Sequence, residues 1–143
     1  MRVLSYLGGA KPDDLDAYLW GDTNAGARFT VYFNKKEVPD KSAVLDIDGR
    51  NGFGPETITI KQLNSGRYRF VVKNHSENPE ITGSHAKVVI AQKDKDGSTK
   101  VNQYDIPISG TGIWWEVFEM DGNTGDIHPV GTISKAPPET IIR

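Results

Sequence analysis

The chain has 143 residues and no cysteine. Disulfides, thiolate zinc sites and cysteine nucleophiles are therefore excluded, although this does not fix the compartment in which the protein acts. Positive charge is not in excess either, since 17 Lys and Arg stand against 19 Asp and Glu and give a formal net charge of -2. Because generic binding of nucleic acids and of anionic lipids depends on clustered positive charge, we expect no nucleic-acid partner and no adhesion to lipid.

Long apolar runs are missing as well. The longest falls far short of the roughly 20 residues that a membrane-spanning helix needs, so we expect a soluble chain without membrane insertion. The segment Met1-Arg2-Val3-Leu4 is not followed by the apolar region of a signal peptide. Because the chain starts within a strand pattern, we expect it to be part of a longer polypeptide. The sequence also has no phosphate-binding glycine motif and no Gly-x-Ser-x-Gly nucleophile motif.

The sequence is rich in β-branched residues. It contains 11 Val, 12 Ile and 10 Thr against 6 Leu, a ratio that favours half-buried strands over helices. The 15 Gly and 8 Pro require frequent turns. We therefore predict an all-β protein, an antiparallel two-sheet β-sandwich that is jelly-roll-like and has about 8 to 10 short strands. Residues 1–134 should form a single domain and residues 135–143 an extended C-terminal exit segment, because Pro137-Pro138 cannot continue a central ladder.

Apolar and polar residues alternate with period 2 between turn signals, which predicts ten strands. These are Val3–Leu7, Asp16–Trp20, Arg28–Phe33, Ala43–Asp48, Thr57–Leu63, Arg67–Lys73, His85–Gln92, Lys100–Ile106, Ile113–Met120 and Ile127–Ile133. The turn residues Asn64-Ser65-Gly66 predict a tight hairpin between two of them. Loops at 93–98 and 121–126 predict two further hairpins.

Two pairs of aspartates stand two residues apart, Asp14 with Asp16 and Asp46 with Asp48. On an extended chain such residues project to the same face, so each pair offers neighbouring carboxylate oxygens. Glu56 follows a glycine-rich segment that can turn backbone carbonyls inward. Because clustered carboxylates repel one another and Ca2+ accepts about six to eight oxygen ligands from flexible loops, these five acids predict a shared calcium site. The alternative is ordinary turn chemistry on a solvated rim.

Aromatic residues flank the first acidic pair and recur on a late strand. Tyr18, Trp20 and Trp114 are candidate ligand-binding residues, since exposed rings on a strand can form a platform for a glycan or a peptide. Because neighbouring residues of a strand face opposite ways, alternation predicts that one of Trp114 and Trp115 is buried and that the other is exposed. The same alternation places Glu119 on the face of Trp115. The alternative is that both tryptophans pack between layers.

Several motifs along the chain are similar to those of one known family. They are Asp14-Leu15-Asp16, Gly54-Pro55-Glu56-Thr57-Ile58, Gly66-Arg67-Tyr68-Arg69-Phe70, Trp115-Glu116-Val117-Phe118-Glu119 and Gly125-Asp126-Ile127-His128-Pro129-Val130. Together they resemble the YfaP-like family, a bacterial domain of unknown function found in exported and cell-surface proteins, over nearly the whole chain. The resemblance implies a β-sandwich located outside the cell, on its surface or in the periplasm, and it supplies no activity. It also places Trp115 at the position of the family's usual tryptophan, which together with alternation implies that Trp115 is buried and that Trp114 is the more exposed of the two.

These observations favour a non-enzymatic, calcium-binding interaction module of a bacterial exported or cell-surface protein that docks a protein, a peptide or a glycan. The alternative is a small hydrolase, or an accessory domain of a carbohydrate enzyme, that uses the clustered Asp and Glu side chains catalytically. A cation held by the acids favours the first hypothesis. An open cleft with an unpaired, proton-bearing carboxylate favours the second.

Overall fold

The computed structural model describes residues 2–6, 15–22, 28–32, 35–38, 41–47, 55–74, 86–93 and 96–136. Within these ranges the chain forms ten strands and no helix, and so no helix that could cross a membrane. The strands are β1 (Arg2–Tyr6), β2 (Leu15–Asp22), β3 (Arg28–Val31), β4 (Ala43–Ile47), β5 (Pro55–Ile60), β6 (Arg67–Asn74), β7 (Lys87–Lys93), β8 (Thr99–Asp105), β9 (Trp114–Asp121) and β10 (Ile127–Ser134). The all-β prediction is confirmed, and each predicted strand has its counterpart in order.

The strands form two five-stranded sheets. Sheet A has the order β4-β5-β1-β7-β8, and sheet B has the order β10-β9-β6-β2-β3. Every pairing within them is antiparallel, as predicted for a two-sheet sandwich. The last strand ends at Ser134, and most of the predicted exit segment, from residue 137 onward, lies outside the described residues.

The core lies between the sheets and follows from strand alternation. In β2 the residues Leu15, Ala17 and Leu19 are buried in the main hydrophobic cluster. In β6 the alternating set Tyr68, Phe70 and Val72 joins them, and Ile58 and Ile60 contribute from β5 of the other sheet. Burial of a large apolar side chain stabilises the fold by about 1.5 to 3 kcal/mol, so this inter-sheet cluster is the main source of stability. It also fixes which side chains of β2, β6 and β9 must point outward.

The segment Asn64-Ser65-Gly66 is not a hairpin, which corrects the prediction made from its turn residues. It joins β5 of sheet A to β6 of sheet B and therefore crosses from one sheet to the other. The connection is fixed by Asn64, whose backbone N–H donates to the hydroxyl of Tyr68 at 2.8 Å and whose Nδ2 donates to Ser42 Oγ at 3.2 Å. A tyrosine that bonds back to the chain in this way is typical of the corners of Greek-key sandwiches.

The two other predicted hairpins are confirmed. Strands β7 and β8 pair in continuous register up to Lys93 and Thr99, and β9 and β10 pair from Met120 and Ile127. In the second turn Gly125 donates its N–H to the Asp121 carbonyl at 2.7 Å, which closes the loop by backbone bonding. The turn between β9 and β10 is thus closed within the chain, as predicted for a hairpin.

A β-bulge in β9 overturns the predicted alternation of that strand. Phe70 of β6 pairs with Phe118, but the next residue, Val71, pairs with Glu116, so Val117 is the extra residue. Val117 and Phe118 are consequently both buried in the main core. Side chains alternate between the two faces of a strand, so one extra residue moves every side chain after the bulge to the face opposite the one that simple alternation predicts. Glu119 thus leaves the face of Trp115 on which simple alternation placed it.

Candidate functional site

The outer face of sheet B, turned away from sheet A, carries a second hydrophobic cluster. Its members come from the central strands β2, β6 and β9 and alternate with residues of the main core. They are Tyr18, Trp20, Val71 and Trp114, with Tyr32 and Ile113 half-buried at the margin. We name these six residues the aromatic cluster. An outer sheet face normally carries polar side chains, so an apolar one here points to a special role.

The rings of the aromatic cluster are in mutual contact. Tyr18 stacks on Tyr32, with centroids 5.1 Å apart and planes inclined by 14°. The centroid of Trp114 lies 5.5 Å from that of Tyr18 and 6.4 Å from that of Trp20. Aromatic pairs at such distances contribute about 0.5 to 1.5 kcal/mol beyond the area they bury.

The structure therefore brings together all three aromatic residues that the sequence singled out. Tyr18, Trp20 and Trp114 keep exposed fractions of only 7%, 0% and 6%. Trp114 is therefore buried, in contact with the rings of Tyr18 and Trp20, and the expectation that it is exposed is wrong. Trp115 is buried in the main core, as predicted. The part that these three residues play toward a ligand stays a prediction.

One row of this face combines charge with an aromatic ring. Asp16 pairs in register with Lys73, which in turn pairs with Trp114. The Lys73 Nζ lies 5.1 Å from the centroid of the Trp114 ring, within the range of a cation–π contact. Asp16 is itself buried, with an exposed fraction of 5%. The register therefore places a buried carboxylate in the same row of the sheet as Lys73 and Trp114.

A second charged group borders the aromatic cluster on β6 and β9. Arg69 contacts the carboxylates of both Glu116, at 2.9 Å from Nε, and Glu119, at 2.5 Å from Nη2. Arg67 adds a looser contact to Glu119 at 3.9 Å. Burial raises the pKa of the Glu116 carboxyl, Arg69 lowers it, and the charge of Glu119 raises it again, with a net upward shift. These three strongly interacting side chains are only 12% to 25% exposed, which makes the network stiffer than a solvated ion pair.

An open groove of about 360 Å³ continues from this ion-pair network. Its lining includes Arg67, Glu119, Asp121 and His128, so both signs of charge face it. Among the residues that the structure describes, no group of three or more His, Asp or Glu side chains is arranged to hold a metal ion, and this includes the residues that line the groove. It therefore extends the polar rim of the outer face.

The acids predicted to bind calcium are only partly described. Asp14 and Asp48 lie outside the described residues, and Asp46 and Glu56 are described through the backbone of β4 and β5 alone. The topology carries the start of β2, the end of β4 and the start of β5 to one end of the sandwich, because β5 and β6 are joined at the other end. However, Asp16 projects from the outer face of sheet B while β4 and β5 belong to sheet A. A site shared by all five acids stays a prediction.

Sequence reasoning missed the charged partners of the aromatic cluster. Lys73, Arg69 and Glu116 look like ordinary solvated residues of their strands in the sequence. Their roles come from the register of β2, β6 and β9, which pairs residues more than 40 positions apart. The local signals of this site were the acid–aromatic motif of β2 and the adjacent tryptophans of β9, Trp114 and Trp115.

Comparison of the chain with models of protein families, with curated proteins and with solved structures found no match. A function is therefore inferred from the geometry and chemistry of the site itself.

Proposed function

We propose that the protein is a non-enzymatic interaction module of an exported or cell-surface bacterial protein, related to the YfaP-like family, and that it binds calcium and docks a protein, peptide or glycan ligand. The observation that carries this proposal is the aromatic cluster on the outer face of sheet B. Burying two tryptophans on the side of a sheet that faces away from the core is not needed to hold the two sheets together. The half-buried margin of the cluster, Tyr32 and Ile113, leaves part of this apolar face at the surface, and aromatic residues are enriched in interaction surfaces.

The margin of the aromatic cluster is the part that a ligand can reach. Tyr32 is half-buried and rests on Tyr18, so one ring face is supported by the protein. Lys73 is also half-buried, with its ammonium held against Trp114. A rigid ring beside a fixed cation suits hydroxyl-rich or carbonyl-rich ligands, because the ring packs on apolar C–H groups and the lysine donates hydrogen bonds. We therefore place the ligand over Tyr32 and Lys73.

Two substitutions test this placement. Tyr32→Ala and Lys73→Ala remove the margin of the cluster and leave the main core untouched. The ligand is an immobilised glycan or displayed peptide that the wild type binds. Each substitution should weaken this binding by about tenfold or more, as expected for the loss of a rigid aromatic or cationic contact. Ile108→Ser is the control, since Ile108 is 96% exposed and belongs to neither cluster. Retention that is equal in all four proteins would contradict the placement.

The calcium proposal is supported by the common position of the acid-bearing strand ends, namely the start of β2, the end of β4 and the start of β5. Carboxylates at converging strand ends and loops are the ligands that a hard cation prefers. An ion that binds only the folded state stabilises it by about 2.7 kcal/mol at a hundredfold excess over its dissociation constant. Calcium should therefore raise the melting temperature and EDTA should lower it, with a smaller effect from Mg2+ because it demands stricter octahedral geometry.

The double substitution Asp46→Asn with Asp48→Asn tests the calcium site. It should abolish the response of the melting temperature to calcium. Asp121→Asn is the control, because Asp121 belongs to the β9–β10 turn and its carboxylate accepts the N–H of Asn123 at 2.8 Å. The calcium proposal is wrong if the wild type melts at one temperature in EDTA and in millimolar calcium and calorimetry detects no binding.

A further inference from the structure

The two sheets have four outer edges, and three of them are protected against pairing with another chain. Edge strand β3 has only four residues. Edge strand β4 is covered by the segment 35–38, which bonds to it through Val38 N to Ala43 O at 3.1 Å and Leu45 N to Lys36 O at 2.7 Å. Edge strand β10 contains Pro129 and an irregular register between Pro129 and Thr132. Short strands, covering segments, proline and bulges are the usual protections of sheet edges.

Strand β8 is neither short nor interrupted by proline or a bulge, and no segment among the described residues pairs with its outer edge. It runs over seven residues, Thr99–Asp105, and pairs with β7 without a register shift. It contains no proline or glycine. Its exposed residues include Val101, an apolar side chain with an exposed fraction of 61%. One charged residue, Lys100, lies inside the strand near its beginning.

The direction of the unused backbone groups of β8 follows from one hydrogen bond. Ile106 donates its N–H to the Ala86 carbonyl at 3.0 Å, just beyond the end of the strand. Because antiparallel pairs alternate between bonded and non-bonded, Tyr104, Asn102 and Lys100 bond to β7. The odd-numbered residues of β8 therefore turn their N–H and C=O groups away from β7, toward the open edge. No described residue accepts a hydrogen bond from the N–H groups of Val101, Gln103 and Asp105.

We propose that β8 pairs with β8 of a second copy of this chain, antiparallel and about a two-fold axis at Asn102, to give one continuous ten-stranded sheet. This register overlaps all seven residues, since Asn102 is the middle of the strand. It pairs Val101 with Gln103 of the second copy and Thr99 with Asp105. All four of these residues present free-edge backbone groups, so every unused donor and acceptor along the strand is satisfied.

The side chains are compatible with this pairing. Directly opposed residues share a face, so Lys100 lies opposite Tyr104 of the second copy rather than opposite another lysine. A lysine beside an aromatic ring is favourable, and like charges are not brought together. The strand is positive near its beginning at Lys100 and negative at its end at Asp105, and an antiparallel arrangement brings these opposite ends together. A second copy thus supplies the complementary strand.

The mass in solution is the first test. The wild type should show twice the chain mass of 15.8 kDa in sedimentation equilibrium at high micromolar concentration. Val101→Pro removes one free-edge N–H and leaves the β7 ladder intact, so it should weaken dimerisation by at least tenfold with an unchanged circular dichroism spectrum. Val101→Thr keeps the N–H and should remain dimeric. A wild type of single-chain mass, or a folded Val101→Pro protein that dimerises as the wild type does, would overturn the proposal.

A cysteine scan gives the second test and does not depend on how Val101→Pro folds. The chain contains no cysteine, so each variant has a single thiol. In the proposed register two copies of residue 102 form a non-bonded pair with Cα atoms about 4.5 Å apart, which is within the range for a disulfide. Asn102→Cys should therefore give a covalent dimer on mild oxidation. Gln103→Cys should not, because its Cα atoms would be roughly 8 to 9 Å apart. Equal cross-linking of the two variants, or of neither, would refute the register and the pairing.

Discussion

The bond that fixes the β5–β6 connection can be tested with the removal of one atom. Tyr68 is fully buried, and its hydroxyl accepts the backbone N–H of Asn64 at 2.8 Å. Tyr68→Phe keeps the ring, which packs edge-on against Phe29 at a centroid distance of 6.0 Å. The substitution therefore removes a hydrogen-bond acceptor while the apolar packing stays nearly constant.

The magnitude follows from what is left behind. Asn64 has an exposed fraction of 2%, so water cannot replace the lost acceptor without opening the connection. An unsatisfied buried N–H costs about 1 to 3 kcal/mol, and we expect Tyr68→Phe to lower the free energy of unfolding by that amount. For a chain of this size the melting temperature should fall by roughly 3 to 12 °C.

Urea unfolding followed by circular dichroism measures this loss. The matched control is Tyr104→Phe, which also removes a phenolic hydroxyl but from a half-exposed residue at the edge of the core. It should change the free energy of unfolding by less than about 0.5 kcal/mol. If Tyr68→Phe is as stable as the wild type, the hydroxyl does not fix the connection and the reasoning fails.

Two further substitutions probe the packing and the electrostatics. Gly122→Ala would place its Cβ 1.9 Å from the Asn64 carbonyl oxygen, so we expect it to lower the free energy of unfolding in urea by about 3 kcal/mol. The control is Gly97→Ala, whose Cβ meets no atom within 4 Å and which is disfavoured only by the left-handed φ of 87°, so its loss should be smaller. Equal losses in the two variants would contradict this reasoning. Burial raises the folded-state pKa of Glu116, so the folded chain holds that proton more tightly than the unfolded chain, and the stability gained from it is present below the unfolded pKa and lost as pH rises through the folded pKa. Glu116→Gln should therefore flatten the dependence of the melting temperature on pH as the pH rises above the ordinary pKa of a glutamate. An unchanged pH profile would contradict the role of burial.

The strands of this fold could be predicted from the sequence because their signals are local. Alternation and β-branched residues identify a strand wherever it pairs, and the turn at 121–126 has enough glycine and polar residues to close on itself. The crossing at Asn64-Ser65-Gly66 could not be distinguished from a hairpin in this way. The same turn residues serve both, and the choice depends on which distant strands β5 and β6 pair with.

The candidate site could be predicted only in part, because some of its residues have local signals and others depend on the pairing of distant strands. Trp20 and Tyr18 could be singled out from their place beside the acids of β2, but the burial of Trp114 depends on strands far away in sequence. The bulge at Val117 left no local mark, and it decides that Glu119 reaches Arg69 on the outer face. Register and bulges are set by packing across the sheet, which a single strand does not record.

The most direct test of the proposed function is a binding screen of the wild-type protein against immobilised libraries of glycans and of extended peptides. The screen is run in millimolar calcium and in EDTA, and mass spectrometry identifies the ligands that bind the protein. We predict retention of a defined ligand class that is weakened by EDTA, with the ligands recovered chemically unchanged. No retention in either condition would contradict a docking module. Recovery of cleaved ligands would show that the clustered acids act as a hydrolase.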